Sequence, residues 1–308
     1  MGEATQRPAV RHATVSADQA GQRLDNFLIG SLEGVPRSLV YRLVRTGQVR
    51  VNGRRAKPMK KLQTGDQVRI PPVDTRRSGQ PSIPLGLIED IRARILYQDD
   101  DLLVVDKPSG IALHGGSGLK FGLIDVLERI REGLKPVHRL DRPTSGVVVF
   151  AASRQASVAL QEAFTTRAVD KRYLALLSGN LSQAQMPIDA PLKKIRDGSG
   201  QHRVIVAEDG QEARTVFRVL EALPGYSYVE AVIETGRTHQ IRAHAAHIGH
   251  PIAGDERYNP QSGPDRLDRL FLHAHYLHLP WPEERVFDAP LPEALGSVLD
   301  HLRQMSPS

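Results

Sequence analysis

Apolar residues first recur at helical spacing after Gly21, where Leu24, Phe27, Leu28 and Leu32 fall on one face. A second helix is predicted from Pro36 to Arg45, with proline near its start and Gly47 just past its end. The triplet Val49-Arg50-Val51 runs into Asn52-Gly53, a hairpin-turn signal, and Gly65-Asp66 introduces a short strand at Gln67–Ile70. These elements make a small α/β unit over residues 14–73, after a polar stretch, residues 1–13, that reads as a disordered tail. Residues 74–88 have the Pro, Gly and Ser content of a linker.

From Arg94 the pattern changes to strands. They are predicted at Ile95–Tyr97, Leu102–Val105, Val147–Ala152, Arg172–Leu177, Thr215–Leu220, Tyr228–Glu234 and Leu272–Leu279. Helices are predicted at Leu123–Arg131, Gln155–Thr166, His239–Ile248 and Pro292–Arg303. The strands outnumber the helices and do not alternate with them. Residues 89–305 therefore read as an α+β domain whose mixed, mostly antiparallel sheet is flanked by helices.

The 308 residues are 40% hydrophobic, enough to fill a sizeable core, and include no cysteine, which excludes disulfides and thiolate metal sites. The opening residues lack the apolar core of a signal peptide, and no apolar run approaches the ~20 residues needed to span a bilayer. A soluble, cytoplasmic protein is expected. The net charge of +6 is unevenly spread: residues 1–77 hold 15 Lys and Arg against 6 Asp and Glu, and the remainder 26 against 29. A basic excess at one end suits a polyanion-binding module, although a solvated basic face has the same signature.

Three polar segments interrupt the apolar pattern. His138-Arg139-Leu140-Asp141-Arg142-Pro143-Thr144-Ser145-Gly146 directly precedes an apolar strand, so Asp141 sits at the mouth of a sheet. On residues alone, an Asp that stabilises a turn is the commoner reading and a reactive one the rarer. Thr235-Gly236-Arg237-Thr238-His239-Gln240-Ile241-Arg242 lies where a strand gives way to a helix, which places Arg242 in the first turn or so, in reach of a carboxylate or phosphate; alone, the segment reads more readily as a capped helix with a surface arginine. Lys171-Arg172-Tyr173 opens a strand, where a tyrosine is either half-buried core or a stacking surface for a base. The histidines 239, 244, 247 and 250 have neither the spacing nor the acidic neighbour of a zinc motif. The loop His114-Gly115-Gly116-Ser117-Gly118 lacks the Gly-Lys-Ser/Thr of a P-loop and reads as a tight turn near the cleft. No metal and no cofactor is expected.

Taken together, the segments HRLDRPTSG, KRYLALLSG and TGRTHQIR, with Lys107-Pro108-Ser109-Gly110 before them and Gly249-His250-Pro251-Ile252 and Leu272-His273-Ala274 after, closely resemble the RluA family of pseudouridine synthases. The resemblance runs from about Arg94 to the last helix. The N-terminal unit resembles the RNA-binding domain first described in ribosomal protein S four, through RLDNFL, SLVYRLVRTGQVRVNG and GDQVRI. The His114 loop and the VNGRRAKPMKKLQTGDQVRIPP stretch are most similar to RluC-like members.

The resemblance implies a pseudouridine synthase fold and an isomerase acting on uridines of large-subunit (23S) ribosomal RNA, at several sites. The rival readings are an RluD-like target in another helix of that RNA, and a non-catalytic RNA-binding or ribosome-assembly protein. The resemblance makes Asp141 the catalytic carboxylate, Arg242 its partner, Tyr173 the residue packed on the target base, and Ile241 an apolar neighbour of the base. Arg139, with His138 beside it, is implied as an RNA contact. Arg37, Arg42, Arg45, Arg54, Arg55, Lys60 and Lys61 are the candidate contacts of the N-terminal unit. The implied partner is large-subunit RNA or a pre-ribosomal particle, and nothing demands more than a monomer. The chemistry would need one carboxylate where a retaining glycosidase needs two, because uracil leaves as an anion more readily than an alkoxide does.

Overall fold

A computed structural model describes residues 10–32, 35, 37–73, 83–115, 121–196, 202–259 and 263–305. The chain divides into two compact units, Met1–Ser82 and Ile83–Ser308. No described helix is long and apolar enough to cross a membrane.

The first unit contains β1 (Arg11–Thr14), α1 (Leu24–Ser31), α2 (Arg37–Arg45), β2 (Arg50–Val51) and β3 (Gln67–Ile70). Leu24, Phe27, Leu28 and Leu32 do share a buried face, and they pack with Val40, Leu43 and Val44 of α2 over Val51, Val68 and Ile70. Asn52 and Gly53 both take positive φ, 50° and 73°, the conformation of a two-residue primed turn, and Val51 and Arg54 exchange backbone hydrogen bonds across it. The strand that pairs with β2 is β3, however, and Asn52 ties the two turns together: its Nδ2 donates to Asp66 Oδ1 (2.7 Å) and its Oδ1 accepts from Gln67 N (2.8 Å).

The sheet order is β1-β3-β2, so Arg11–Ala13, read above as part of a tail, instead cover the free edge of β3 in register Arg11↔Ile70. The strand is short and mostly exposed, which leaves it little apolar signature. Residues 1–9 of the expected tail, and Pro36 of the second predicted helix, lie outside the described residues.

The second unit is built on a ten-stranded sheet. Its strands are β4 (Ile95–Gln98), β5 (Leu102–Lys107), β6 (Lys135–Pro136), β7 (Ser145–Ala151), β8 (Asp170–Ser178), β9 (Gln185–Asp189), β12 (Arg214–Leu223), β13 (Tyr226–Ile233), β14 (Leu272–Leu279) and β15 (Arg285–Asp288). Strands β10 (Leu192–Arg196) and β11 (His202–Val206) form a separate hairpin. The sheet order is β4-β5-β7-β14-β8-β13-β12-β9, with β15 on β14 and β6 on β7. Among the described residues every pair is antiparallel except β7–β14.

Strands β5 and β7 read as continuous apolar runs because both faces are covered. Leu103, Val105, Val148 and Phe150 join one core with α3 (Leu85–Ala93), α4 (Leu123–Leu127), α6 (Gln240–His247) and α7 (Glu293–Gln304). Leu102, Val104, Val147 and Val149 join another with α5 (Arg154–Thr165).

Two expectations shift. The helix from Leu123 ends as α-helix at Leu127, and turns carry the chain to Ile130. Part of the expected linker, from Leu85, is helix α3, whose Leu87, Ile88 and Ile91 pack into the core. Pro84 and Gly86, at the foot of a Pro/Gly/Ser-rich stretch, mask that helix in the sequence. Residues 74–82 of the linker lie outside the described residues.

Candidate active site

Three segments far apart in sequence meet where β7, β8 and α6 adjoin. The first is the loop from His138 to Thr144, fixed by its exit into β7. Gly146 has φ 113° and pairs with Ala274 of β14, and a Cβ there would lie 2.1 Å from the Ala274 carbonyl oxygen. Glycine at this position lets β14 approach. The loop is bolted to the Lys107–Gly110 segment. Lys107, fully buried, donates from Nζ to the carbonyls of Pro108 (2.9 Å), Ile111 (3.0 Å) and Arg142 (3.3 Å). Ser109 Oγ donates to Pro143 O at 2.7 Å. Burial, then repulsion from Arg269, lowers the Lys107 pKa to about 7.

The second segment, Thr235–His239, leads into α6. Gln240 organises it: its Oε1 accepts from Thr235 Oγ1 (2.7 Å) and Arg237 N (3.0 Å), and its Nε2 donates to Arg214 O (2.8 Å) and Thr215 Oγ1 (3.1 Å). His239 follows in the left-handed conformation, φ 52°. The third segment, Asp255–Tyr258, packs beneath α6.

The cleft between them is lined by Arg139, Asp141, Tyr173, Ile233, Ile241, Leu272 and the run from Gly236 to Arg242. Asp141 Oδ2 lies 3.3 Å from Arg242 Nη1, with the carboxylate side chain 16% exposed. Arg242 in turn donates from Nε and Nη2 to the two oxygens of Asp255, each at 2.7 Å, and its guanidinium lies over the Tyr258 ring, 5.2 Å from the centroid. Asp255 also accepts from the backbone N–H of Arg257 (3.1 Å) and Tyr258 (3.2 Å). Burial, the largest influence, works to lower the Arg242 pKa, but the hydrogen bonds and charge of Asp255, with Asp141 adding to them, raise it. A permanent cation thus faces Asp141 in one fixed orientation.

Tyr173 presents a nearly buried ring, and burial, then the Asp141 charge, pushes its hydroxyl pKa up. Ile233, Ile241 and Leu272 line the cleft with it as apolar neighbours.

The structure gathers Asp141, Tyr173, Arg242, Arg139 and Ile241 in this one cleft. It places His138 elsewhere: Nε2 accepts the backbone N–H of Val149 at 2.9 Å and the ring stacks on Phe164 with centroids 4.8 Å apart, so this histidine anchors the loop to β7 and faces away from the cleft. His244 is likewise committed within the fold, to Ala190 O and Thr215 Oγ1 (2.9 Å each). In the first unit Arg42, Arg45, Arg54, Arg55, Lys60 and Lys61 are exposed. Arg42, Arg45 and Arg55 line a groove with Tyr41 and Lys57. The Arg37 side chain and residues Gly116–Gly118 of the His114 loop lie outside the described residues. Sequence reasoning missed Asp255 and Tyr258. The polar run Asp255-Glu256-Arg257-Tyr258-Asn259 was their only signal.

The model of the family described as RNA pseudouridylate synthase matches residues 101–247, and that of the S4 domain matches residues 22–68. The chain is 46% identical over 307 residues to ribosomal large subunit pseudouridine synthase C of Haemophilus ducreyi, covering 96% of each chain. It is 42% identical over 314 residues to the protein of that name from Escherichia coli K12, covering 97% of this chain and 98% of that one. Among solved structures, human RNA pseudouridylate synthase domain containing 4 superposes with a TM-score of 0.60 at 28% identity, over 71% of this chain and 96% of the other.

Proposed function

This chain belongs to the RNA pseudouridylate synthase family and is an isomerase, and on that premise we propose that it converts several uridines of large-subunit (23S) ribosomal RNA to pseudouridine in the cytoplasm. The full-length similarity to large-subunit synthases, basic domain included, supports this substrate over transfer RNA.

The observation that carries the mechanism is the single carboxylate at the cleft mouth, Asp141, 3.3 Å from a guanidinium that a second, buried carboxylate holds in place. The target uridine is extruded from its stack, because the base cannot turn while stacked. Its uracil rests on Tyr173 and the apolar neighbours Ile233, Ile241 and Leu272. Stacking of this kind is worth roughly 1–3 kcal/mol. The Asp141 carboxylate acts at C1′ as the N1–C1′ bond breaks, and Arg242 fixes its position. Arg139 at the rim contacts the RNA and helps hold the nucleotide out. The base turns and rejoins through C5 with no change of oxidation state. The exposed lysines and arginines of the S4 domain hold the RNA backbone.

Pseudouridine mapping of ribosomal RNA, by carbodiimide adducts and primer extension in cells lacking this protein, tests the reading. Wild-type protein is expected to restore stops in large-subunit RNA, and Asp141→Asn is expected to restore none. Restoration by both would remove Asp141 from the mechanism, and the absence of any dependent stop would remove the ribosomal substrate.

A further inference from the structure

His239 is held where residues other than glycine are strained, at φ 52° and ψ 22°. That conformation sets its imidazole edge-on to the Tyr258 ring, with centroids 5.7 Å apart at 89°. Nδ1 lies 3.1 Å from the Tyr258 hydroxyl, and Nε2 lies in the cleft 3.7 Å from Asp141 Oδ2, too far for a direct hydrogen bond. The Tyr258 hydroxyl accepts the Val204 N–H at 3.0 Å and has a single proton to give, which the Val204 carbonyl at 3.1 Å takes. Toward Nδ1 the hydroxyl is then only an acceptor. The arrangement that satisfies every polar atom around Tyr258 puts the imidazole proton on Nδ1 and leaves Nε2 bare. Asp141 and Asp255 face this ring with negative charge, Arg242 and Arg257 with positive, and burial dominates, lowering its pKa to about 4. The bare Nε2 and the Asp141 oxygen thus stand side by side as two acceptors in the cleft that receives the substrate.

Resting on the synthase reading of this cleft, we propose that His239 is a further catalytic residue, whose Nε2 removes the proton from C5 once the C1′–C5 bond has formed. At that stage C5 carries both hydrogen and C1′, and the ring holds a C6=N1 double bond. The C5–H bond breaks and its proton goes to Nε2. Its electron pair becomes the C5=C6 bond, and the C6=N1 pair moves to N1, which takes a proton from the imidazolium or from water. No electrons are gained or lost. Asp141, released from C1′ as C5 bonds there, offers the new imidazolium its negative charge on one side, and the Tyr258 hydroxyl accepts Nδ1–H on the other.

Single-turnover assays of the full chain on a target RNA carrying uridine, 5-deuterouridine or 5-fluorouridine test this. His239→Gln is expected to slow pseudouridine formation by about 10²–10⁴. It is also expected to raise the 5-H/5-D rate ratio from near unity to several-fold. Fluorine at C5 cannot leave as a proton, so consumption of 5-fluorouridine is expected to stay near the wild-type rate in His239→Gln and to vanish in Asp141→Asn. Tyr258→Phe, which frees the imidazole to change tautomer, is expected to raise the isotope ratio with a smaller loss of rate, and it carries the test if His239→Gln does not fold. A ratio that stays near unity while the rate falls, or 5-fluorouridine consumption that falls with it in a folded variant, would overturn the proposal. Undiminished 5-fluorouridine consumption by Asp141→Asn would overturn the underlying reading instead.

Discussion

Asp255 has no exposed side-chain surface, and both its oxygens are committed to Arg242, one of them also to the N–H groups of Arg257 and Tyr258. Removing it strands a guanidinium that is 7% exposed. Breaking one side of such a buried pair costs about 3–5 kcal/mol. Asp255→Ala is expected to lose that much in urea denaturation, and Asp255→Asn, which keeps an acceptor, to lose less. In both, the turnover of bound RNA is expected to fall more than RNA affinity, because the displaced guanidinium is the one that faces Asp141 in the cleft. Equal turnover in Asp255→Asn and wild type would break the link between the two carboxylates. Asp141, Tyr173 and Arg242 were legible in the sequence through the motifs around them. Asp255 was not, since it lies 13 residues beyond Arg242 in a polar run with no periodicity to assign it a face.

The histidines set an acid limit on the same scale. Burial pushes His138 down to about 3, and His239 and His273 to about 4, from an ordinary value of 6.5. The unfolded chain therefore takes up protons on these groups before the folded one does. Their contribution to stability is complete above pH 6.5 and is lost as pH falls from there toward about 4, at up to roughly 1.4 kcal/mol per pH unit for each. The shifts of Lys107 act above pH 7 and the lowered carboxylates below their ordinary values near 4; the part-buried Asp106 carboxyl, raised above 3.8, acts in this window with the opposite sign, one group against the several imidazoles. Denaturation midpoints measured from pH 8 to 5 are expected to drop steeply below 6.5. A flat profile would show these rings free to protonate in place.

At the scale of elements, the parallel pairing of β7 with β14 is the join that brings the Asp141 loop to the centre of the sheet, and it depends on Gly146. A methyl group there combines a φ of 113° with a 2.1 Å approach to the Ala274 carbonyl. Strain and overpacking each cost about 1–3 kcal/mol, so Gly146→Ala is expected to destabilise by roughly 2–6 kcal/mol and to lower activity in the protein that remains folded. Paired melting and single-turnover measurements check this, and an unchanged melting temperature would mean that β14 yields without cost. Gly146 stands in the sequence at the end of the polar segment before an apolar run, but its partner strand could not be read there, since Ala274 lies far along the chain. The runs forming β5 and β7 announced themselves because burial on both faces demands unbroken apolar sequence. Strands β9, β10 and β11 did not. Pro187 lies in β9, which pairs with β12 alone at one end of the sheet order, where a missing N–H is tolerated, and Leu192–Arg196 is mostly polar because its hairpin stands apart from the main sheet.

For the whole molecule, the division of charge matches the division of structure. The 15 basic and 6 acidic residues of the first 77 all fall in the first compact unit, and the second unit, with 26 and 29, carries a slight negative excess. A polyanion is therefore drawn to the unit that lacks the cleft, while the cleft's own Arg242 is spent on Asp141 and Asp255. Each unit has its own core, so the second is expected to fold when residues 1–82 are removed. Each phosphate contact contributes about 0.7–0.9 to the slope of log affinity against log salt. If Arg42, Arg45, Arg54, Arg55, Lys60 and Lys61 each meet a phosphate, removing them should flatten that slope by about 4–5. The rate of isomerisation at saturating RNA should stay close to that of the full chain, because every residue lining the cleft lies beyond residue 82. Titrations of full-length and truncated protein between low and high salt, followed by single turnover at saturation, separate the two effects. An unchanged salt slope would move RNA binding onto the catalytic unit despite its charge, and a lost single-turnover rate would mean that the basic unit also shapes the cleft or the RNA within it.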